Sequence, residues 1–136
     1  MDNEYLIGIK EIDDQHREID QVANSIIQAI ATNDQWHIVH YIVVRLYELL
    51  RFHFAVEESV MRIVGFPEAE SHKRVHQEIL RAVEKLKNAA LHADGVDSGQ
   101  VLKEQVSFLE HIVDHDKRFV DFVIANRNNT PLLRIA

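Results

Sequence analysis

The chain of 136 residues contains no cysteine, and glycine (four residues) and proline (two residues) are scarce. Without cysteine, disulfide bonds, thiolate metal sites and cysteine nucleophiles are excluded, while a reducing compartment is allowed. The scarcity of glycine and proline favours long uninterrupted elements over many short turns. The length predicts a single domain, residues 1–136, with room for a substantial core.

The sequence also lacks an excess of basic charge and any long apolar run. The formal net charge is −7, so nucleic acid and anionic membranes are not expected as partners, because no basic surface is available to neutralise phosphates. No apolar run approaches the roughly 20 residues that span a bilayer, and the acidic start, MDNEYLIG, does not have the form of a signal peptide. These absences predict a soluble protein in the cytoplasm.

Four segments have apolar residues spaced by threes and fours, which is the period of an amphipathic helix. They cover about residues 12–31, 35–64, 67–91 and 98–126. Because short connections make neighbouring helices antiparallel, the pattern predicts an all-α fold. We expect an up-down-up-down four-helix bundle over about residues 12–126, preceded by an N-terminal arm and followed by a tail.

Several residues mark where these helices begin and end. Asp34 is a candidate N-cap for the second helix, and Asp97 or Ser98 for the fourth. Gly65 after the second helix is a stop signal. The only tryptophan, Trp36, is predicted to pack at the start of the second helix.

Nine histidines are unusual for a chain of this length, and several of them interrupt apolar helix faces. His53 and Glu57 lie one turn apart on the second helix, and His72 and His76 lie one turn apart on the third. His16 lies at the centre of the apolar face of the first helix. Three helices therefore each direct at least one potential metal ligand into the core.

Burying several polar rings and a carboxylate without partners costs about 1–3 kcal/mol for each neutral group and more for a charge. A metal centre removes that cost because it uses the lone pairs of the ligands. At least six or seven nitrogen and oxygen donors are too many for one tetrahedral ion, so we expect two ions bridged by carboxylates. Imidazole and carboxylate suit iron, manganese, copper or zinc, and iron fits best if the centre handles dioxygen.

On the fourth helix the spacing does not decide which residues are the ligands. On a regular helix Asp116 lies in the middle of the apolar face and His111 lies about 140° away, whereas spacing alone pairs His111 with His115. His115 is therefore either a hydrogen-bonding neighbour of a ligand or exposed. Asp13 and Gln15 are candidates either for orienting a ligand, His16, or for capping. The remaining histidines lie off the inward faces and are predicted at the surface: His37, His40 and His92.

Four stretches in this order closely resemble the hemerythrin family in its bacterial form. They are GIKEIDDQH ending at His16, HFAVEESVM with His53 and Glu57, HKRVH with His72 and His76, and HIVDHD with His111 and Asp116. The resemblance covers about residues 4–125 and implies a non-haem di-iron centre. One iron would be bound by His72, His76 and His111 and the other by His16 and His53, with Glu57, Asp116 and a solvent-derived oxo or hydroxo group as bridges.

This resemblance favours Asp116 on the fourth helix and requires His111 to turn inward. We therefore expect a one-residue widening of the helix, a π-bulge, between the two. Five ligands on one iron against four on the other leave one coordination position open for dioxygen. Residues next to the ligands are candidates for the apolar lining of the dioxygen pocket, with an ordinary core role as the alternative: Ile19, Phe54, Phe108 and Ile112.

The resemblance implies a dioxygen carrier or store that is not an enzyme. Ferritin-like di-iron enzymes use four carboxylates and two histidines, whereas five histidines and two carboxylates favour reversible binding. The alternative is an oxygen- or redox-sensing input domain of a larger signalling protein, such as a diguanylate cyclase or a chemoreceptor. The tail, residues 127–136, is consistent with the start of a linker to an output domain after residue 136. The bundle sequence does not separate carrier from sensor, and spacing does not separate iron from manganese.

Overall fold

The computed structural model describes residues 10–33, 35–91 and 97–126. The elements are the helices α1 (Lys10–Ala31), α2 (Trp36–Val64), α3 (Ala69–Ala89), α4 (Ser98–His111) and α5 (Lys117–Asn126), and a π-helical segment (Ile112–Asp116) joins the last two. No strand occurs in these three ranges, so the expected all-α class is confirmed. Within the same ranges, no helix is both long enough and apolar enough to cross a membrane.

The helices form a bundle in which each rod packs mainly against two neighbours. α1 packs against α2 and α4, and α3 packs against the same two helices. Since consecutive helices contact each other and their connections are short, neighbours run antiparallel, as the sequence predicts. α4, the π-helical segment and α5 together form the fourth rod. Residues 1–9 of the expected N-terminal arm and the tail, residues 127–136, lie outside the described residues.

The helix boundaries differ from the predicted ones by at most two residues. α1 begins two residues earlier than expected, and α3 is two residues shorter at each end. α2 ends as its stop signal predicts. Gly65 adopts the left-handed conformation (φ 67°), and the Phe66 N–H donates to the carbonyl oxygen of Met61 at 3.0 Å, which caps the last turn.

The starts of α4 and α2 differ in whether a side chain caps the first turn. At the start of α4 the backbone N–H of Gln100 donates to Asp97 Oδ1 (2.8 Å), and the Asp97 N–H donates to Gln100 Oε1 (3.0 Å). This reciprocal pair is a capping box and confirms Asp97 as the cap. At the start of α2 the capping position belongs to Gln35, which makes no side-chain capping bond, and Asp34 lies outside the described residues. Trp36 is 44% exposed, so the prediction that it packs is wrong.

The apolar core consists of two clusters of buried side chains. The large cluster includes Ile19, Leu50, Phe54, Ile79, Phe108 and Ile112. The small cluster consists of Ile12, Met61, Phe66, Phe119, Val120 and Val123. Both clusters draw on several rods, so together they bury one face of each helix.

A layer of buried polar side chains separates the two clusters. On α1, His16 lies between Ile12 of the small cluster and Ile19 of the large cluster. Along α2 and along the fourth rod, buried polar residues likewise lie between members of the two clusters. Apolar side chains therefore cover the polar layer on both sides along the bundle axis.

Replacing the cap of α4 should weaken the fourth rod. Asp97→Ala removes the acceptor for the Gln100 N–H and should lower the free energy of unfolding by about 1 kcal/mol. Asp97→Asn keeps an acceptor oxygen and is the matched control. Chemical denaturation of the metal-free proteins measures the difference, and equal stability of Asp97→Ala and the wild type would contradict the role given to the cap.

Candidate metal centre

All seven predicted ligand residues are buried and meet in the polar layer between the two apolar clusters. None is more than 3% exposed. Every rod contributes: α1 supplies His16, α2 supplies His53 and Glu57, α3 supplies His72 and His76, and the fourth rod supplies His111 and Asp116. The structure thus brings together every residue that the sequence analysis assigned to the metal site.

On α2 and α3 a regular helix is enough to present two groups each. His53 and Glu57 are four residues apart, as are His72 and His76, and residues at that spacing lie on one face. The apolar residues around them on the same faces belong to the core clusters. Because that face is buried in the bundle, the polar pair on it is buried as well.

The fourth rod uses a different geometry. His111 and Asp116 are five residues apart, and the intervening segment, Ile112–Asp116, is π-helical. The wider turn places both side chains inside the bundle, which confirms the expected π-bulge. His115, the partner that regular spacing would give to His111, is only half-buried.

The imidazole Nε2 atoms of the site form two close pairs. The Nε2 atoms of His16 and His53 lie 3.1 Å apart, and those of His76 and His111 also lie 3.1 Å apart. The members of each pair come from different rods: α1 and α2 supply the first pair, and α3 and α4 supply the second. The two pairs define two sides of the site.

The Asp116 carboxylate reaches both sides. Its Oδ1 atom is 2.9 Å from Nε2 of both His72 and His111, and its Oδ2 atom is 3.2 Å from Nε2 of His16. One carboxylate thus spans the distance between the two groups of rings. This is the arrangement that a bridging ligand requires.

Glu57 is the second carboxylate between the rings. Its Oε1 atom lies 2.7 Å from Nε2 of His53 and 3.7 Å from Nε2 of His76. Burial, followed by the charge of Asp116, raises the pKa of Glu57 well above its usual range. Burial also acts to raise the pKa of Asp116, but hydrogen bonds from the surrounding histidines outweigh it and hold that pKa well below its usual range. The pKa values of the two acids shift in opposite directions because two carboxylates that share one dry site do not both ionise readily.

Several of these buried atoms are not satisfied by hydrogen bonds. Within the described part of the chain, no hydrogen-bond partner exists for either oxygen of Glu57, for Asp116 Oδ2 or for His111 Nδ1. Glu57 Oε1 is close to a ring nitrogen but does not meet it in hydrogen-bond geometry. Each unsatisfied group costs about 1–3 kcal/mol, and a cation among the oxygens would use their lone pairs.

Two side chains outside the predicted ligand set orient the rings of His53 and His76. Gln15 Oε1, on α1, lies 2.6 Å from Nδ1 of His53, and Glu58 Oε2, on α2, lies 2.9 Å from Nδ1 of His76. An amide oxygen and a carboxylate only accept hydrogen bonds, so each Nδ1 carries the hydrogen. The Nε2 lone pairs of both rings are therefore directed at the centre of the layer.

Neither of these contacts was predicted from the sequence. Gln15 and Asp13 were predicted to orient His16 or to cap the helix, whereas the Gln15 amide contacts a ring on α2 and Asp13 is buried. Glu58 was missed. It follows Glu57 directly, and because each residue of a helix is rotated by about 100° from the one before, its side chain lies on the flank of the inward face. On α2 that flank faces α3, and burial there raises the pKa of Glu58.

The four predicted pocket residues all pack beside the site. Phe54 stacks on His76 with ring centroids 3.9 Å apart, and Phe108 meets His16 edge-on at 5.8 Å. Each of the four is at most 4% exposed: Ile19, Phe54, Phe108 and Ile112. The site is therefore walled by apolar groups on the side of the large cluster.

A cavity of about 20 Å³ lies beside Ile19 and Phe108. Most of its other walls are apolar, and of its polar lining residues Gln105 donates to Asp20 at 2.8 Å. The volume suffices for a water-sized molecule, and the apolar part of the wall offers it no hydrogen bonds. A small apolar gas suits it better than water does.

The remaining histidines lie outside the ligand groups. His37 is exposed as predicted, His40 is half-buried instead of fully exposed, and His92 lies outside the described residues. The ring of His115 stacks on that of His111, with centroids 5.3 Å apart and planes at 25°. His115 thus packs on the back of a site histidine.

The potential ligand atoms fall into two overlapping groups, within each of which all atoms lie within 4.8 Å of one another. One group consists of Glu57, His72, His76, His111 and Asp116, and the other of His16, His53, Glu57 and Asp116. The two carboxylates belong to both groups. The geometry therefore offers two metal positions that share their carboxylates, and no further group of this kind occurs over the described ranges.

Comparison with known proteins decides the family. Residues 7–119 match the family model described as the hemerythrin HHE cation binding domain. The chain belongs to the hemerythrin family. It is 26% identical to the bacteriohemerythrin of Clostridium acetobutylicum over 127 residues, which cover 88% of this chain and 96% of that protein. It is 32% identical to the bacteriohemerythrin of Stenotrophomonas maltophilia over 124 residues, which cover 90% of this chain and 79% of that protein. The bacteriohemerythrin of Pseudomonas aeruginosa is 30% identical over 118 residues, which cover 85% of this chain and 75% of that protein. No solved structure is similar enough to count as a match.

The cofactor of a hemerythrin is a pair of iron ions, and the polar layer fits it. The layer provides two groups of donors, and their imidazole nitrogens and carboxylate oxygens suit iron. The carboxylate oxygens without hydrogen-bond partners among the described residues are the atoms that shared ions would use. The family, the fold and the cofactor expected from the sequence are thus confirmed.

Acid should destabilise the metal-free hemerythrin because two of its site histidines are buried in the neutral form. Burial, with His111 and His72 nearby, lowers the pKa of His76 from 6.5 to about 2, and burial also lowers the pKa of His111. Below pH 6.5 the unfolded chain binds protons on these rings and the folded chain does not. Stability is therefore present above that pH and is lost as the pH falls toward the folded-state values.

His76→Gln should flatten this dependence, by an amount that approaches about 1.4 kcal/mol per pH unit well below pH 6.5, since it removes one such proton. Urea denaturation of the chelator-treated protein between about pH 7 and pH 5 measures the slope. His37→Gln, at an exposed histidine, is the matched control and should keep the wild-type slope. Identical slopes for all three proteins would show that His76 is not buried as a neutral ring.

Proposed function

We propose that this hemerythrin binds dioxygen reversibly at its non-haem di-iron centre and acts as an oxygen carrier or store, without catalysing a reaction. The observation that carries the proposal is the pair of ligand groups that share two buried carboxylates. Histidine-rich ligation supports reversible binding, because the carboxylate-rich sites of ferritin-like bundles belong to enzymes that activate oxygen. The expected cytoplasmic location is part of the same proposal.

In this proposal three histidines bind one iron and two bind the other. The first set is His72, His76 and His111, the second is His16 and His53, and the bridges are Glu57 and Asp116 with a solvent-derived oxo or hydroxo group. When bound there, an iron pair would supply the two electrons that dioxygen takes up on binding and returns on release. The protein contributes ring orientation, through Gln15 and Glu58, and a dry surround.

The apolar wall is the part of the chain that keeps binding reversible. Ile19, Phe54, Phe108 and Ile112 form the pocket in this proposal, and all four are buried. A dry wall keeps water and acids from delivering protons, which would drive the reduction of dioxygen onward. The small cavity that Ile19 and Phe108 help to line supports the proposal, because most of its walls are apolar.

Anaerobic addition of ferrous iron to the metal-free chain should give close to two irons per chain by metal analysis. Air should then produce a visible absorption band that disappears when dioxygen is removed. His76→Ala should lose iron because it removes a ligand, whereas His37→Ala, at an exposed position, should retain it.

Fewer than two irons in the wild type would contradict the centre. Two irons that oxidise at once and irreversibly in air would contradict the carrier and favour the sensing alternative. An output domain after residue 136 belongs to that alternative only.

The pocket wall can be tested at Phe108. Phe108→Leu should thin the wall beside His16 and speed the irreversible decay of the oxygenated form several-fold, measured from its absorption band. Leu102→Ala, on the same helix but 52% exposed, is the control and should leave the decay unchanged. If Phe108→Leu binds iron normally and decays at the wild-type rate, Phe108 is only a core residue.

A further inference from the structure

The side chains that support the two metal positions differ in charge. Glu58 Oε2 accepts from Nδ1 of His76 at 2.9 Å, and Gln15 Oε1 accepts from Nδ1 of His53 at 2.6 Å. The two rings belong to different ligand groups, since His76 occurs only in the five-residue group and His53 only in the four-residue group. A carboxylate therefore accepts the Nδ1 hydrogen of a histidine at one metal position, and a neutral amide does so at the other.

This difference acts on the metal through the imidazole ring. A carboxylate that accepts the Nδ1 hydrogen makes the ring a stronger donor at Nε2 and fixes its orientation. A neutral amide fixes the orientation but contributes less, because hydrogen bonds to an ionised acceptor are about twice as strong. The Glu58 side chain is 24% exposed, so its charge keeps part of its hydration while it bonds to a buried ring.

We propose that Glu58 and Gln15 are positioning residues that make the two metal positions unequal. Glu58 tightens the position that contains His76, so that this position fills first, and Gln15 leaves the position that contains His53 weaker. The larger number of histidines in the first group already favours that order, and the charge of Glu58 increases the difference. This inference rests on the proposed function, because it requires two metal positions.

Stepwise binding of cobalt(II) to the metal-free chain of 136 residues tests the inference. Absorption of bound cobalt, with a competing chelator, resolves a tighter and a weaker step in the wild type. Glu58→Gln keeps the size and an acceptor oxygen but removes the charge. We expect it to weaken the tighter step by about 10–100-fold and to leave the weaker step unchanged.

Gln15→Glu is the reciprocal variant, since it places a carboxylate behind His53. It should strengthen the weaker step and leave the tighter step as it was. Glu48→Gln removes the same charge from an exposed position on α2 and should change neither step. Urea denaturation of each metal-free variant separates a loss of stability from a change in metal affinity.

The result that overturns the inference is a Glu58→Gln variant in which both steps weaken equally or neither step changes. Loss of metal-free stability with both steps unchanged would show that Glu58 is only a packing residue, which also overturns it. Fewer than two cobalt ions bound by the wild type would instead contradict the proposed function. The two failures are therefore distinguishable in one experiment.

Discussion

The structure is organised around a layer of seven predicted ligand side chains that the bundle buries from solvent. None is more than 3% exposed, and apolar clusters cover the layer on both sides. Imidazole nitrogens 3.1 Å apart and carboxylate oxygens without hydrogen-bond partners, among the described residues, raise the free energy of the metal-free chain. Metal binding lowers it, so occupancy of the centre and stability of the bundle are linked. The dryness that makes the layer costly also underlies the proposed reversibility.

Two of the rods both supply predicted ligands and orient a ring on a neighbour. α1 provides one predicted ligand, and the residue before it, Gln15, orients a ring on α2. α2 provides two predicted ligands, and the residue after the second, Glu58, orients a ring on α3. Adjacent residues on one helix point about 100° apart, so one faces the centre while the other reaches the next rod. The two orienting side chains thus come from the same two helices that supply His16, His53 and Glu57.

The period of a regular helix was sufficient to predict the four rods and the ligands on the first three, because spacing on a helix determines direction. On the fourth rod regular geometry turns His111 outward, and only the resemblance to hemerythrins indicated the π-helical turn. Gln15 was given the wrong partner, His16 in place of His53, and Glu58 was given no role, because both act on other helices and the period of one helix does not fix its rotation against the next. The exposure of Trp36 was missed for the same reason, since burial depends on whether a neighbour lies opposite.

X-ray absorption at the iron edge of the iron-loaded chain tests the central claim most directly, because it measures the neighbours of each ion. The account predicts nitrogen and oxygen ligands together with a second iron within about 4 Å of the first. Iron that shows only light-atom neighbours, with no second metal at that distance, would contradict a shared centre between the four rods.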